Sequence, residues 1–281
     1  MSDPRATSRA AGGIDLDHIA IAAEHHSDVW PRYIGDLGAA WVAGGESFGF
    51  SPAQVRFAGG MRLEVLEPFA VERNDFLRRF LDRNGPGPHH LTFKLPDLDA
   101  AIDGARAIGI EPVAIERTDP SWQEAFLHPK QAHGIVVQLA QADHGWESPP
   151  PPELPVAHAG SPATLTHVTH LVADLPAALS LFEGLLDGQP SETVTPGAVG
   201  LGGEAEAVDL AWPGPGRIRL LQPAAGTAEA AWLGNLSGRL HHIAFTVPDP
   251  AVIREAVPVG DGQLEVPPER NGGVRLLLTP A

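Results

Sequence analysis

Short stretches of alternating apolar and polar residues recur along the chain and predict its strands. Four of them contain a histidine followed by apolar residues, and they begin near Ile14, His89, Leu165 and Leu240. Alternation with a period of two is typical of a strand that has one face against a core. Because a repeated segment indicates a repeated structural unit, the pattern predicts a chain built from similar units.

The first two units have the same predicted order, which is a strand, a helix and then three strands. Gly109 ends the helix of the second unit, since glycine tolerates the backbone conformation that follows a helix. A separate helical segment over residues 72–82 connects the two units. The predicted elements are strands 14–22, 41–43, 54–58 and 62–66 with helix 27–38, and strands 89–95, 112–116, 125–128 and 134–140 with helix 97–108.

The second half of the chain repeats this plan. The spacing from His18 to His167 nearly equals the spacing from His90 to His242, so the two halves have almost the same length. The third unit begins with a strand at Leu165, and the fourth with a strand at Leu240. The remaining predicted elements of the third unit are a helix over 176–186 and strands over 208–212 and 217–221.

The fourth unit is shorter than its counterpart in the first half. The distance along the chain from His242 to Leu277 is less than that from His90 to the equivalent Gln138. This difference predicts that the fourth unit has lost about a strand and a loop.

A change in composition marks the boundary between the two halves. Residues 143–163 are rich in Pro, Gly and Ala and include the run Pro149–Pro152, which predicts a semi-rigid exposed linker. We therefore expect an N-terminal domain over 14–142 and a C-terminal domain over 164–281. Residues 1–13 are small and polar and are expected to form a disordered tail.

Composition and charge narrow the class of protein. Hydrophobic residues make up 43% of the 281 residues, enough to fill a core in two domains. No apolar run approaches the roughly 20 residues of a membrane helix, and the N-terminus lacks an apolar signal core, so we expect a cytoplasmic protein without a membrane partner. The formal charge of -16, with the 19 Lys and Arg scattered, argues against a nucleic-acid partner. Because the chain has no cysteine, any metal must be bound by imidazole, carboxylate or amide oxygen.

Two of the predicted strands each carry a histidine on a face that is less apolar than the opposite one. Alternate side chains of a strand share a face, so the apolar faces suit helices and the other faces suit a cavity. The residues predicted to share the cavity face are Leu16, His18, Ala20 and Ala22 in the first strand, and His90, Thr92 and Lys94 in the strand over 89–95.

The last strand of each of these units also carries a polar residue on the cavity face. These residues are Glu64 in the first unit and Gln138 in the second. Two units packed with pseudo-two-fold symmetry would bring them together with His18 and His90. Two imidazoles, a carboxylate and an amide oxygen suit a first-row divalent ion with one or two positions open to water or substrate.

Several segments of the N-terminal half resemble the vicinal oxygen chelate superfamily. The Phe-Leu-His-Pro-Lys segment is most similar to the methylmalonyl-CoA epimerases, with the glyoxalase I enzymes as more distant relatives. The resemblance covers 14–142 strongly and 164–279 weakly. The segments are His-Ile-Ala-Ile at 18–21, Leu-Glu-Val-Leu-Glu-Pro at 63–68, His-His-Leu-Thr-Phe at 89–93, Phe-Leu-His-Pro-Lys at 126–130 and Gly-Ile-Val-Val-Gln-Leu at 134–139.

The resemblance implies an α+β fold of two tandem domains. Each domain would consist of paired βαβββ modules that form a cup-shaped mixed sheet with helices outside. The implied ligands of one divalent ion (Co, Zn, Mn, Ni, Fe or Mg) are His18, Glu64, His90 and Gln138. The epimerases have the order His, Gln, His, Glu, whereas this chain has His, Glu, His, Gln, so the carboxylate lies on the other side of the cup.

The implied activity is that of an epimerase or isomerase that enolises a small carbonyl substrate, such as a 2-substituted acyl-CoA, chelated to the metal. Glu64 and Glu46 are the candidates for the base, since the amide of Gln138 is not basic near neutral pH. Lys94 and Thr92 are expected to contact the substrate, with the ammonium of Lys94 meeting an anionic group.

The C-terminal half keeps His167 and His242 but not the other two ligands. Arg219 takes the place of the carboxylate and Leu277 the place of the amide. A cation and an aliphatic side chain do not support a metal, so we expect a metal-free second cup. Such a cup would stabilise the first, contribute to the contacts of a homodimer or bind a separate ligand.

Three other functions stay open for this sequence. A glyoxalase-type lyase uses a similar metal site. An extradiol-type dioxygenase of this superfamily has a similar length, but its two histidines and one glutamate lie in the C-terminal domain, which counts against that activity here. A non-enzymatic protein of the bleomycin-resistance type binds an aromatic compound, and such proteins typically lack the metal ligands.

Overall fold

Two eight-stranded mixed sheets form the framework of the protein. The computed structural model describes residues 13–142, 145–158, 162–191, 205–260 and 262–281. The predicted disordered tail lies outside the described residues except for Gly13, and so do parts of the predicted linker. Within the described ranges, no helix has both the length and the apolar character needed to cross a membrane.

The first sheet comes entirely from the N-terminal half of the chain. Its strands are connected by α1 (Phe76–Asn84), α2 (Leu98–Ala107) and a π-helical segment, Pro31–Asp36. The strands are β1 (Asp15–Ala22), β2 (Ala40–Gly44), β3 (Gly49–Arg56), β4 (Arg62–Phe69), β5 (Gly87–Lys94), β6 (Val113–Glu116), β7 (Trp122–Leu127) and β8 (Val136–Ala142).

The strand order β2-β3-β4-β1-β5-β8-β7-β6 places the first strands of the two units side by side at the centre. β1 and β5 are antiparallel, while β1 pairs in parallel with β4 and β5 in parallel with β8. A parallel pair requires a crossover connection, which the π-helical segment and α2 supply. The predicted order of strand, helix and three strands is therefore confirmed for both units, and with it the α+β fold.

The second sheet repeats this order as β10-β11-β12-β9-β13-β16-β15-β14. Its helices are α3 (Leu175–Leu179), a π-helical segment, Ser180–Leu185, and α4 (Ala228–Leu233). The strands are β9 (Thr164–Val172), β10 (Gln189–Pro190), β11 (Ala205–Ala211), β12 (Arg217–Pro223), β13 (Gly238–Val247), β14 (Val257–Gly260), β15 (Gln263–Val266) and β16 (Leu276–Pro280).

The expectation that the fourth unit has lost a strand is wrong. β14, β15 and β16 are all present and pair in the same order as their counterparts in the first sheet. The missing residues come from the crossover instead, where a short 3-10 turn, Pro250–Val252, stands in place of a helix as long as α2. Because the strands carry the core residues, the unit keeps its sheet and shortens the outer helix.

A β-bulge corrects one prediction about the first strand. The pairing of β1 with β5 shifts between Leu16 and His18, where the intervening residue is Asp17. A bulge inserts one extra residue into a strand and changes the alternation of its faces. Leu16 is accordingly part of the hydrophobic core rather than a neighbour of His18 on the cavity face.

Local signals in the sequence explain where the helices begin and end. The carboxylate of Asp97 accepts a hydrogen bond from the Ala100 N–H at the start of α2, and Asp174 does the same for Ala177 at the start of α3. Such caps pair backbone N–H groups that have no partner within the helix. Gly109 follows α2 with a φ of +82°, the conformation that favours glycine after a helix.

One hydrophobic core extends through both sheets. The ring of Phe57 lies 4.9 Å from that of Phe245, and Phe93 lies 5.3 Å from Trp212. Polar contacts add to this interface, since the Arg254 Nε donates to the buried carboxylate of Asp36 at 3.1 Å. The two halves are thus packed together, and the polar faces of the sheets are left for the two cups.

Candidate metal centre

The register of the central strands brings three potential metal ligands together on the concave face of the first sheet. Ala20 of β1 is paired with both His90 in β5 and Glu64 in β4, and His18 is two residues away on the same strand. The Nε2 atoms of His18 and His90 each lie 3.6 Å from the Oε2 of Glu64. All three residues are buried, and their ligand atoms lie within 4.8 Å of one another.

His18 is oriented by a carboxylate that the bulge places beside it. Its Nδ1 donates to the Oδ2 of Asp17 at 2.8 Å, which directs Nε2 towards Glu64. Burial alone would lower the pKa of His18, but the carboxylates of Glu64 and Asp17 raise it to about 9. The surroundings of His18 therefore favour a positive charge at its Nε2, whether the charge comes from a proton or from a metal ion.

Asp17 is itself held in its ionised form. Burial would raise the pKa of Asp17, but the hydrogen bond from His18 and the charges of His18, Lys94 and Arg62 hold that pKa well below its usual range. The Lys94 Nζ lies 3.2 Å and the Arg62 Nη1 3.6 Å from the Oδ1 of Asp17. Asp17 is thus ionised near neutral pH and places a negative charge next to the imidazole.

His90 has an unsatisfied nitrogen inside the cup. Its Nδ1 lies 2.8 Å from the Nδ1 of His89, while its Nε2 is buried and has no hydrogen-bond partner among the described residues. Burial, together with the charges of His89 and His18, holds the pKa of His90 well below its usual value, so the ring is neutral. A buried nitrogen without a partner costs about 1–3 kcal/mol, which a ligand at this atom would offset.

Glu64 is held by a neighbouring amide. The Gln54 Nε2 donates to its Oε1 at 3.1 Å, and the two residues are paired across β3 and β4. This bond leaves Oε2 facing the two imidazoles. Gln54 is buried as well, so the orientation of the carboxylate does not depend on solvent.

The donor set fits a divalent first-row metal ion. Two imidazole nitrogens and one carboxylate oxygen are ligands that Zn, Fe, Co, Ni and Mn share. The unpartnered Nε2 of His90 and the negative surroundings of His18 are the two features of this group that a bound cation would satisfy. Among the described residues, no other group of three His, Asp or Glu side chains meets the same distance criterion.

Gln138 lies in the cup, but both ends of its amide are engaged. Its Oε1 accepts from the Thr92 Oγ1 at 2.6 Å, and its Nε2 donates to the Oε2 of Glu124 at 2.6 Å. The hydroxyl of Thr92 also lies 2.9 Å from the Nε2 of His18. Gln138 is thus linked to His18 through Thr92, and its role as a direct ligand stays a prediction.

The other predicted site residues are distributed differently. Thr92 is fully buried, and its hydroxyl contacts His18 and Gln138. Its side chain therefore supports the metal group, which is the set of potential ligands His18, Glu64 and His90. Lys94 pairs with Asp17 and lies over the ring of Trp122, at 5.8 Å from its centroid. Their substrate contacts stay predictions.

Glu46 is not brought together with the other predicted residues. It lies in the exposed loop between β2 and β3. Ala43, the residue of β2 paired with Gln54, is three positions earlier in the chain, which corresponds to roughly 10 Å along a strand. Glu46 is therefore separated from Glu64 by strand β3 and by the distance of three residues along the chain beyond Ala43.

Three residues of this site were missed by reasoning from the sequence: Asp17, Gln54 and Glu124. Asp17 precedes the predicted ligand, but regular alternation assigns it to the opposite face, and only the bulge brings its carboxylate to the imidazole. Gln54 and Glu124 lie on strands β3 and β7, which flank the strands of Glu64 and Gln138. The available signal was a polar residue within the predicted strand over 54–58 for Gln54, and one directly before the predicted strand over 125–128 for Glu124.

His89 and His128 lie outside the metal group. The ring of His89 packs against Phe80 at 4.7 Å and Phe76 at 6.0 Å. His128 is exposed, and its Nδ1 accepts from the backbone N–H of Lys130 at 3.2 Å, as expected for a residue that fixes a turn.

The second cup has the same two histidines but different partners. The rings of His167 and His242 lie 6.1 Å apart, close to the 5.9 Å between His18 and His90. Arg219 takes the place of the carboxylate, as predicted, and donates from Nε and Nη2 to the carboxylate of Asp209 at 2.8 and 3.0 Å. The described residues of this half contain no group of three His, Asp or Glu ligands suited to a metal.

Comparison with known proteins gives one family and several structures of related fold. The family model for the glyoxalase-like domain matches residues 16–186. No curated protein sequence matches the chain. A mutant of 4-hydroxymandelate synthase from Streptomyces coelicolor is 15% identical, covers 96% of this chain and 93% of its own, and has a TM-score of 0.63.

Two further solved structures cover about half of the chain. Methylmalonyl-CoA epimerase from Mycobacterium tuberculosis is 24% identical over 50% of this chain and 93% of its own, with a TM-score of 0.41. A methylmalonyl-CoA epimerase in complex with methylmalonyl-CoA and NH4+ is 28% identical over 48% of this chain and 98% of its own, with a TM-score of 0.40. Of these three structures, the synthase is the one whose likeness extends over both sheets, and it is a likeness of fold.

Proposed function

Because the chain belongs to the glyoxalase-like domain family of the vicinal oxygen chelate superfamily, we propose that it is a divalent-metal-dependent enzyme of the epimerase or isomerase type. Its reaction is the removal and return of a proton on the carbon next to a carbonyl group of a small substrate. The structural neighbours named above are a synthase and epimerases, which agrees with an enzyme in general.

The observation that carries this proposal is the buried group of His18, Glu64 and His90. Its three ligand atoms face one another in the first cup, and the His90 Nε2 has no partner among the described residues. A protein that only enclosed an apolar compound would gain nothing from an unsatisfied imidazole in its cavity. The group is therefore better explained by a ligand that binds these atoms.

In the proposed reaction, His18, Glu64 and His90 would hold the ion, and Asp17 would keep His18 in the tautomer that has a free Nε2. A divalent ion bound there would act as a Lewis acid that polarises the carbonyl oxygen of the substrate. The burial of the three side chains excludes bulk water from this position, which strengthens the electrostatic effect of every charged group in the cup.

Glu64 is the proposed base among the carboxylates that the sequence pointed to. Its Oε2 faces the interior of the cup, and Gln54 fixes its other oxygen. Glu46 is less suited because it lies in the exposed loop after β2. Glu64 would take up the proton of the substrate carbon and return it to the opposite face once the planar enolate has turned that face towards the carboxylate, so that the reaction needs no external oxidant or reductant.

The proposed substrate class is a 2-substituted acyl-CoA or a similar compound with two neighbouring oxygens. This choice rests on the resemblance of the Phe-Leu-His-Pro-Lys segment at 126–130 to the epimerases. Two carbonyl oxygens separated by one carbon, as in a 1,3-dicarbonyl compound, suit a metal that keeps two open positions, and the carbon between the two carbonyl groups is the most acidic of the molecule.

Proton exchange in heavy water tests the proposal. The purified full chain, loaded with one divalent ion, is expected to exchange the alpha proton of at least one member of a panel of acyl-CoA esters. The variant His90→Ala should lose exchange, while the matched control His25→Ala, an exposed histidine outside the cup, should retain it. Absence of exchange on every ester would refute the proposed reaction.

The same variants distinguish catalysis from simple binding. If His90→Ala loses the metal but binds the substrate analogue as tightly as the unmodified protein, the first cup is a binding site that does not need the metal. Oxygen consumption by the ferrous form, without proton exchange, would favour a dioxygenase instead.

A further inference from the structure

The floor of the second cup is lined by polar atoms that have no hydrogen-bond partner among the described residues. His167, Thr169 and His242 are buried, and the Nε2, Oγ1 and Nε2 atoms of these residues, respectively, make no hydrogen bond with any described residue. Most buried polar groups of a native protein are paired, so three unsatisfied atoms on one face call for an explanation. A bound polar ligand supplies one.

The strand register shows that these atoms converge. Thr169 of β9 is paired with His242 in β13 and with Arg219 in β12, and His167 lies two residues earlier on the same strand. Paired residues of neighbouring strands have side chains about 5 Å apart on the same face. The two histidines, the threonine and the arginine therefore surround one common space.

The charges around this space are opposite to those of the first cup. Arg219 occupies the position of Glu64, and Arg275, in register beside His242, brings a second guanidinium whose Nη1 donates to the Oε2 of Glu265 at 3.1 Å. The pKa of His242 is held well below its usual value, first by burial and then by the neighbouring His241, His167 and the two arginines. A divalent cation would be repelled here, whereas an anion would be attracted.

The hydrogen bonds around the Nδ1 of His167 determine whether its Nε2 donates or accepts a hydrogen bond. The Thr166 hydroxyl donates to the carbonyl oxygen of Ala244 at 3.1 Å, so it can only accept from the Nδ1 of His167, which lies 3.2 Å away. Burial and the charge of Arg219 lower the pKa of His167 to about 4, so the ring is neutral. Its Nε2 then carries a lone pair and must accept a hydrogen bond from a ligand.

Arg219 has a donor available for the same ligand. Its Nε and Nη2 are bound to Asp209, and its Nη1 makes no hydrogen bond within the described part of the chain. A guanidinium binds a second carboxylate on its remaining edge. The cup thus offers a cationic donor at Arg219, an acceptor at His167, and adaptable groups at Thr169 and His242.

We propose that the second cup binds a small hydroxycarboxylate anion. The carboxylate accepts from the Nη1 of Arg219, and the neighbouring hydroxyl group donates to the Nε2 of His167. Thr169 and His242 complete the hydrogen bonds of the ligand. The second cup is in this way a ligand site of its own, in addition to the metal group of the first cup.

Calorimetric titration with glycolate tests this proposal. The full chain is used metal-free with the substitution His90→Ala, so that the first cup cannot coordinate the probe. Glycolate is expected to bind at one site, and acetate about tenfold or more weakly, because acetate cannot donate to His167. The substitution Thr169→Val, which keeps the shape but removes the hydroxyl, should weaken binding several-fold.

Two variants of the arginine separate recognition from folding. Arg219→Gln should weaken glycolate binding at least about tenfold, and the double variant Arg219→Gln with Asp209→Asn should do the same without leaving an unpaired carboxylate. Arg79→Gln, the same change at an exposed arginine of α1, is the control and should bind like its parent.

The proposal is overturned by three outcomes. They are equal affinities for glycolate and acetate, unchanged glycolate binding in the double variant, and stoichiometric binding of zinc in place of glycolate. Because the His90→Ala background already lacks the metal group, none of these results depends on whether the first cup is an epimerase site.

Discussion

Glu64 and Arg219 lie at equivalent places in the two sheets. Glu64 is in register with Ala20 of β1, and Arg219 with Thr169 of β9. One strand position, repeated by the internal symmetry of the chain, thus carries a negative charge in one cup and a positive charge in the other. Since both cups keep a pair of buried histidines, we expect the charge at this position to determine whether a cup favours a cation or an anion.

The first prediction exchanges this charge in the second cup. Arg219→Glu together with Asp209→Gln copies the pair formed by Glu64 and Gln54. The change places a carboxylate beside His167 and His242, so the variant is expected to bind a second divalent ion per chain. Metal analysis after dialysis measures the stoichiometry, and the control Arg79→Glu adds a carboxylate at the surface without a second ion. A ratio of one ion per chain in both variants would contradict the prediction.

The second prediction concerns the carboxylate that orients His18. Asp17→Asn keeps the shape of the side chain but removes the charge that stabilises the imidazole Nδ1 proton. Loss of such a partner typically weakens metal binding about 10–100-fold, and we expect an effect in this range. Competition with a chromogenic chelator measures the affinity, with Asp103→Asn on the exposed face of α2 as the control. An affinity equal to that of the control would show that Asp17 does not act on the metal.

The sequence was sufficient to predict most of the fold, because the relevant information is local. Alternation identified β1, β5 and their repeats, and the glycine and proline breaks identified the strands between them. The histidines and Glu64 could be assigned to one face for the same reason. The pairing of the strands then follows from the repeated units. Each unit has one crossover helix, and the helices of both units can bury their apolar faces only against the outer face of the sheet.

The residues that complete the site were not accessible from the sequence, because their contacts depend on neighbouring strands. Asp17 reaches His18 only through a bulge, which alternation does not foresee. Glu124 reaches Gln138 across the β7–β8 pair, and their relation depends on a register that the sequence leaves open. The sequence correctly showed that the fourth unit is shorter, but the shortened element is the crossover helix and not a strand. Length alone does not distinguish the loss of a helix from the loss of a strand.

The third prediction distinguishes two roles of Gln138. In the structure its amide connects Thr92 with Glu124. If this is its role, Gln138→Glu puts two carboxylates next to each other and destabilises the protein, by about 1–3 kcal/mol, without strengthening metal binding. If Gln138 is a direct ligand, the same substitution supplies a stronger ligand and raises the metal affinity.

Urea unfolding of the metal-free protein and chelator competition measure these two quantities. We expect a lower free energy of unfolding and an unchanged or weaker metal affinity for Gln138→Glu. The matched control is Gln131→Glu, at an exposed position in the turn before β8, for which both quantities should stay the same. A clear gain in metal affinity would assign Gln138 to the metal.

The fourth prediction is a loss of stability in mild acid, caused by buried and half-buried histidines of the C-terminal half. Burial lowers the pKa of His170 and His241 to about 4, and burial with the charge of Arg219 does the same for His167. The unfolded chain takes up protons at these groups near pH 6.5, whereas the folded protein does not until the pH approaches 4. The stability that depends on the neutral rings is therefore complete above about pH 6.5 and declines as the pH falls towards 4.

Linkage gives the size of this effect. Between about pH 6.5 and pH 5, each such histidine is expected to remove on the order of 1.5 kcal/mol from the free energy of unfolding. Urea unfolding of the metal-free protein at the two pH values measures the loss. On acidification, the free energy of unfolding of the variant His241→Gln should fall less than that of the unmodified chain, and the difference should be about the loss expected for one histidine. The control His25→Gln, at an exposed site, should lose as much as the unmodified chain. Equal free energies of unfolding at both pH values would mean that these rings take up protons as readily in the folded protein as in the unfolded chain.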